Sequence, residues 1–320
     1  MILDADTRNA EGGRSTGAVV IGWLRRLMVV AVLAGAGYQV VRQWPEVSHA
    51  LGLLPPHLIV LSLLAAFAGV LLAPDMFHTV LGGLGSTVRL RDASVIYLVG
   101  QLGKYLPGSV WAFLVQAELG KSAGVSRSRG FITSIITFGL IIVSALLMGF
   151  LAMPTILAGH REYLWVFIPL PLGLIMLHPK PLTWIVNLGL RILRRPPLEV
   201  PLRGANIIKA TAIGLLTFVC FGLHLWLLAS SLGSPGIGGL ALCVGTIALA
   251  IAAGMLAFVL PSGIGVREVV IVAALSTVLP SGPALAVAVV SRLMFTVVDL
   301  VSAGGAALFA KLRWGVHNGL

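Results

Sequence analysis

The chain has 320 residues, of which 58% are apolar and only 10% charged, and its mean hydropathy is +1.01. A water-soluble core needs far less apolar material, so these values exclude an ordinary soluble domain and indicate an all-α polytopic membrane protein. The net charge of +11 would point to nucleic acid in a soluble protein; here it first has to be sorted between the two sides of a membrane, and no nucleic-acid partner is expected.

Residues 1–17 mix Asp4, Asp6, Arg8, Glu11 and Arg14 in a polar tail, without the pattern of a cleavable signal peptide. Residues 18–320 read as a single membrane domain. Apolar windows long enough to cross ~30 Å of hydrocarbon fall at 27–44, 57–74, 131–153, 163–178, 207–232 and 284–310, which makes six full spans. Two further apolar regions, 93–119 and 239–279, are interrupted. A basic linker at 179–206 separates a first half, 18–178, from a second, 207–320. Within it Leu182, Ile185, Val186, Leu190 and Leu193 recur at helical spacing opposite Arg191, Arg194 and Arg195, the pattern of an amphipathic helix lying on anionic headgroups.

With the amino terminus in the cytoplasm of a cell-membrane protein, Arg8, Arg14, Arg25 and Arg26 lie inside, and two spans return the chain inside at Arg89 and Arg91. The next basic cluster, Lys121, Arg127 and Arg129, follows the first interrupted region. Both clusters are cytoplasmic only if 93–119 enters and leaves on the same side, as a re-entrant hairpin of two half-helices. Continued downstream, with the second interrupted region dipping from the outside, this topology puts 17 of the 22 basic residues and both termini in the cytoplasm. Only Arg42 and Arg161 fall outside. Lys104, Arg267 and Arg292 are left at membrane depth.

The two interruptions are alike. "YLPGSVWAF" carries Pro107 and Gly108, and "VLPSGIGVRE" carries Pro261, Gly263 and Gly265, each in the middle of an apolar region and each followed by a full span. One dips from inside and the other from outside, the pattern of an inverted-topology repeat whose discontinuous helices meet near the midplane and form a substrate site. Ordinary spans merely kinked by Pro and Gly are the plainer alternative.

"GQLGKYLPGSVW" together with "PSGIGVRE" resembles the lysylphosphatidylglycerol synthase transmembrane-region family, a flippase-like membrane domain also found fused to aminoacyl-phospholipid synthases. The resemblance covers the chain beyond the polar tail. It implies paired re-entrant elements that move lipids or lipid-linked sugars between leaflets, here without the soluble aminoacyltransferase domain.

The residues themselves support an anion site. A charge at bilayer depth costs at least about 2.5 kcal/mol, so such residues pair or line a wet cavity. Lys104 and Arg267, one beside each break, bring two cations toward one place, and half-helix amino termini after the breaks would add free N–H groups. A lipid phosphate suits that arrangement; the alternative is that both cations snorkel or satisfy loop carbonyls. Glu268 and Glu118 stand near the breaks as holders for the basic residues or as proton exchangers. Arg292 and Asp299 lie two turns apart on one face, too far for direct contact, so each needs a partner elsewhere, and Glu268 or Glu118 is expected for Arg292. Tyr105 and Trp111 serve as packing or as a wall for an acyl or prenyl chain. Gln101, Ser109 and Ser262 complete the candidate substrate contacts.

No histidine spacing of metal-site type and no phosphate-binding loop occurs, so neither a metal, a cofactor nor ATP hydrolysis is expected. Cys220 and Cys243 read as packing residues. The leading function is a flippase, not an enzyme, for an anionic phospholipid or a polyprenyl-phosphate-linked sugar. A lipid-modifying enzyme or glycosyltransferase is its expected partner. A membrane-embedded transferase on such a lipid and a secondary transporter of a soluble organic anion remain as alternatives.

Overall fold

The computed structural model describes residues 54–106, 110–155, 178–192, 203–233, 236–257 and 260–314, with the single positions 41, 52 and 175. Apart from those single positions, the spans expected at 27–44 and 163–178 lie outside the described residues. So do Pro107, Gly108 and Ser109 of the first break.

Among the described residues the regular structure is entirely helical. In chain order it comprises α1 (Pro56–Gly83), α2 (Leu90–Gln101), α3 (Val110–Ser122), α4 (Arg127–Gly149), α5 (Pro179–Ile192), α6 (Gly204–Leu232), α7 (Gly238–Leu256), α8 (Val266–Leu275) and α9 (Ser281–Trp314). Short 3-10 turns stand at Leu102–Tyr105, after α2, and at Pro261–Gly263, before α8. Local chemistry sets several boundaries. Pro56 opens α1, where its fixed φ and missing N–H cost nothing. Ser126 caps α4 by accepting the Arg129 N–H at 3.3 Å.

Five helices, α1, α4, α6, α7 and α9, are long and apolar enough to cross a membrane. Four of them match the spans expected at 57–74, 131–153, 207–232 and 284–310. Their outer faces stay apolar: Val60, Leu61, Leu64 and Leu71 of α1, Ile208 and Leu216 of α6, and Leu308 and Leu312 of α9 are all exposed, as suits a surface whose solvent is lipid. The linker contains the expected helix, α5.

The interrupted regions differ from each other. α2 and α3, with 12 and 13 residues, reach only ~18–20 Å each, short of the ~30 Å hydrocarbon thickness. They pack side by side, with Gly103 at the fold. A Cβ there would sit 2.6 Å from the Ala112 backbone nitrogen, so the close approach requires glycine.

The second region is divided unequally. α7 has 19 residues and is a candidate span by itself, while α8 has 10. No proline or charge occurs between Gly238 and Leu260, so nothing local stops the helix early. α7 ends at Leu256, where Ala257 leaves helical backbone (φ −77°, ψ 61°), and Pro261 then holds Leu260 extended (φ −89°, ψ 121°). Ser262, Gly263 and Gly265 then follow with left-handed φ of 50°, 66° and 85°.

Packing between the halves is reciprocal. α3 lies on α4 and α8 on α9, α2 of the first half lies on α9, and α7 of the second lies on α4; α1 and α6 pack along each other. The 3-10 turns of the two breaks touch, and the first also touches α9. Phe77, Ile96, Phe218, Leu225, Ile247, Leu275 and Val298 belong to one buried cluster that joins both halves. Replacement of Gly103 by Ala should therefore destabilise the protein by about 1–3 kcal/mol, measured by thermal unfolding in detergent, whereas Gly139→Ala, where a Cβ meets nothing within 4 Å, should leave stability unchanged.

Candidate functional site

The site is organised by one face of α9. Arg292, Phe295 and Asp299 follow at steps of three and four residues and so stack along that face. Each meets a residue from a break.

At one end, Asp299 Oδ2 accepts hydrogen bonds from Lys104 Nζ at 2.6 Å and from the Tyr105 hydroxyl at 2.8 Å. Both donors stand in the 3-10 turn of the first break. Asp299 and Tyr105 are buried, and the Lys104 side chain is partly exposed.

At the other end, Arg292 Nη1 donates to Glu268 Oε1 at 2.8 Å. The second carboxylate oxygen, Oε2, accepts the backbone N–H of Gly265 at 2.7 Å. Glu268 thus caps α8 and pairs Arg292 at once. Of the amino-terminal N–H groups of α8 expected to face an anion, that of Gly265 is held by a carboxylate of the same helix. The corresponding terminus of α3 follows residues outside the description.

Between the two pairs lies Arg267. It neighbours Glu268 in the first turn of α8 and points another way, its guanidinium stacking over the Phe295 ring at 4.3 Å from the centroid. Its Nη2 is buried and has no hydrogen-bond partner among the described residues. Arg267, Lys104 and Asp299 line a cavity of about 160 Å³ together with Gln101, Ser262 and Tyr97. Much of the remaining wall is apolar and includes Phe218, Phe221, Ile251 and Met255. By the ~10–15 Å³ each water requires on this measure, there is room for several. The cluster holds three cations, Lys104, Arg267 and Arg292, against two carboxylates, Glu268 and Asp299. One positive charge is in excess, on the residue with the open donor.

Of the expected site residues, the fold therefore brings Gln101, Lys104, Tyr105, Ser262, Arg267, Glu268, Arg292 and Asp299 together. Glu118 goes elsewhere. It is exposed and pairs with Lys121 at 3.1 Å and Arg127 at 2.7 Å, so of the two expected acids it is Glu268 that meets Arg292. Trp111 is 45% exposed at the start of α3 and does not line the cavity. Pro261, Gly263 and Gly265 shape the second break, and the Gly263 and Gly254 backbones meet directly, a Cβ on Gly263 falling 2.8 Å from the Gly254 carbonyl oxygen.

Several residues were missed. Phe295 shares the face of Arg292 and Asp299, a spacing readable in advance. His224 is fully buried between helices: its Nδ1 lies 2.8 Å from Ser62 Oγ and its Nε2 2.9 Å from Ser291 Oγ. Its ring stands edge-on to Phe295 at 5.0 Å, so α1, α6 and α9 are tied together directly behind the aromatic platform of Arg267. A lone polar residue within an apolar span was the available signal.

The Arg292–Glu268 pair should be strongly coupled to stability because Arg292 is buried and Glu268 nearly so. Glu268→Ala and Arg292→Met are each expected to cost about 3–5 kcal/mol by stranding the opposite charge, and the double variant less than the two together. Unfolding in detergent of the four proteins of this cycle measures it; additive losses would show that the pair is not coupled.

A family model described as the lysylphosphatidylglycerol synthase TM region matches residues 27–303. The chain belongs to that family, and with five membrane-crossing helices it is a multi-pass membrane protein related to lipid handling. No curated protein matches it.

Proposed function

We propose that this family member moves an anionic lipid, either a phospholipid or a polyprenyl-phosphate-linked sugar, between the leaflets of the cell membrane. The lipid phosphate binds Arg267 and Lys104 in the central cavity while the tails stay in the bilayer. One observation carries the reading: Arg267, which lines a cavity where cations outnumber carboxylates, keeps a buried, unpartnered donor. Leaving such a group unmade costs more than a hydrogen bond returns, so an anionic acceptor is the natural occupant.

In this reading the first interrupted region is a re-entrant hairpin, supported by the shortness and side-by-side packing of α2 and α3, and both termini are cytoplasmic. The reciprocal packing of the halves supports an inverted repeat with the cargo site on its axis. Asp299 holds Lys104 while the site waits. An arriving phosphate competes for the lysine, and Asp299 keeps the Tyr105 hydroxyl. The protein acts as a transporter, not an enzyme, for both carboxylates of the site are engaged by cations and serve to position them.

Two measurements test this. In a background lacking Cys220 and Cys243, cysteines introduced at Leu90 and Ser122 should both be labelled from the cytoplasmic side; labelling from opposite sides would remove the hairpin. In neutral-lipid vesicles, Arg267→Ala should slow translocation of tail-labelled phosphatidylglycerol about 10- to 100-fold, the range of a lost charge-assisted bond, with the amount of folded protein unchanged. Arg267→Lys should restore only part, since an ammonium lacks the planar fork that grips phosphate. Full transport by Arg267→Ala would sink the assignment.

A further inference from the structure

A second, smaller cavity of about 60 Å³ adjoins the first. Tyr97, Gln101 and Lys104 line both. Its other polar walls come from α3 and α4: Gln116, Ser134 and Thr137. Gln116 and Ser134 are each 2% exposed, and the Ser134 hydroxyl donates to Gln116 Oε1 at 2.5 Å. Thr137, also 2% exposed, has no hydrogen-bond partner for its Oγ1. A buried hydroxyl left unpaired against a cavity is costly unless something enters to meet it.

The chemistry of this wall is specific. Its polar groups are hydroxyls and carboxamides set among the apolar residues Ala112, Phe113, Phe138, Ile141 and Met255, and the one cation, Lys104, stands at the junction with the phosphate cavity. Among the described residues that line it, none is a carboxylate. An ammonium group would find no counterion there and would meet Lys104 and Arg267 nearby. A neutral group bearing hydroxyls would find donors and acceptors on several sides. The volume exceeds the ~10–15 Å³ that a cavity needs to admit a water and is less than half that of the first cavity, so it suits a small group and not a bulky one.

Resting on the translocation reading above, we infer that this cavity is a headgroup subsite for a small, uncharged polyol esterified to the phosphate. Lys104 marks the boundary: phosphate lies on the Arg267 side and the polyol on the Thr137 side. The cargo is then a glycerol-type anionic phospholipid. A lipid whose headgroup carries an amino-acid ammonium is disfavoured on charge and on size.

The test uses the full chain in phosphatidylcholine vesicles with three tail-labelled probes: phosphatidylglycerol, phosphatidic acid, which has the phosphate without the polyol, and lysyl-phosphatidylglycerol. Wild type should move phosphatidylglycerol fastest. Thr137→Val, which removes the hydroxyl and keeps the shape, should lower phosphatidylglycerol translocation about 2- to 10-fold, the range of one neutral hydrogen bond, and leave phosphatidic acid unchanged. Because the hydroxyl is unpaired in the protein, this variant should be at least as stable as wild type, which separates a headgroup role from a structural one. Thr137→Leu, which fills the cavity, should abolish the preference for phosphatidylglycerol. The subsite is overturned, with anion translocation intact, if phosphatidylglycerol and phosphatidic acid move alike in wild type, if Thr137→Val slows both equally or neither, or if lysyl-phosphatidylglycerol moves as fast as phosphatidylglycerol. Translocation of no anionic probe above the protein-free rate would overturn the reading beneath it as well.

Discussion

Two ion pairs of opposite polarity, made by one helix to two breaks, hold the centre of this protein. α9 presents Arg292 to Glu268 of the second break and Asp299 to Lys104 of the first. The two α9 residues are seven apart in sequence and therefore ~10 Å apart along the axis. Neither can satisfy the other, so each recruits a break from a different half of the chain. In a medium that solvates charge poorly the pairing is obligatory, and it gives the irregular backbone of each break one fixed position against α9. Within the breaks Gly103, Tyr105 and Gly263 are buried in protein, the surroundings in which non-helical backbone at membrane depth is tolerated.

From that clamp the rest of the site follows. Glu268 directs one oxygen to Arg292 and the other to the Gly265 N–H, while its neighbour Arg267 points another way. The guanidinium of Arg267 instead lies on Phe295, between the two pairs, and keeps an open donor. His224, bonded to Ser62 and Ser291, backs the same phenyl ring. The open donor is thus set by its neighbours: Lys104 and Arg292 hold the two carboxylates of the site, and Arg267 is left on an aromatic surface beside a cavity. Glycine supplies the complementary constraint, because the first break reaches α9 only if α2 and α3 lie close at Gly103, and the second only if Gly263 meets Gly254.

Much of this was legible in the residues. Hydropathy located α1, α4, α6 and α9. Leu-Pro-Gly marked both interruptions, and the scarcity of charge singled out Lys104, Arg267, Arg292 and Asp299, since an ionised side chain in an apolar stretch stands out whatever its partners. Glu118 misled because its nearness to a break in sequence is no measure of depth: on α3 it faces Lys121 and Arg127 at the periphery. α7 is long enough to be a span because no proline or charge interrupts the chain between Gly238 and Leu256.

The sequence by itself determined that this is a helical membrane protein, where its backbone breaks and which charges stand at depth, because apolar run length, proline and glycine act within a few residues of themselves. Only the tertiary structure decided how those charges divide. Lys104 and Tyr105 meet Asp299 across almost two hundred residues, Glu268 turns to Arg292 and Gly265, and Arg267 is left with a donor to spare. The two cavities were decided at the same level. Which oxygen lies within 3 Å of which nitrogen depends on how helices from both halves pack, and local spacing along the chain does not carry that information.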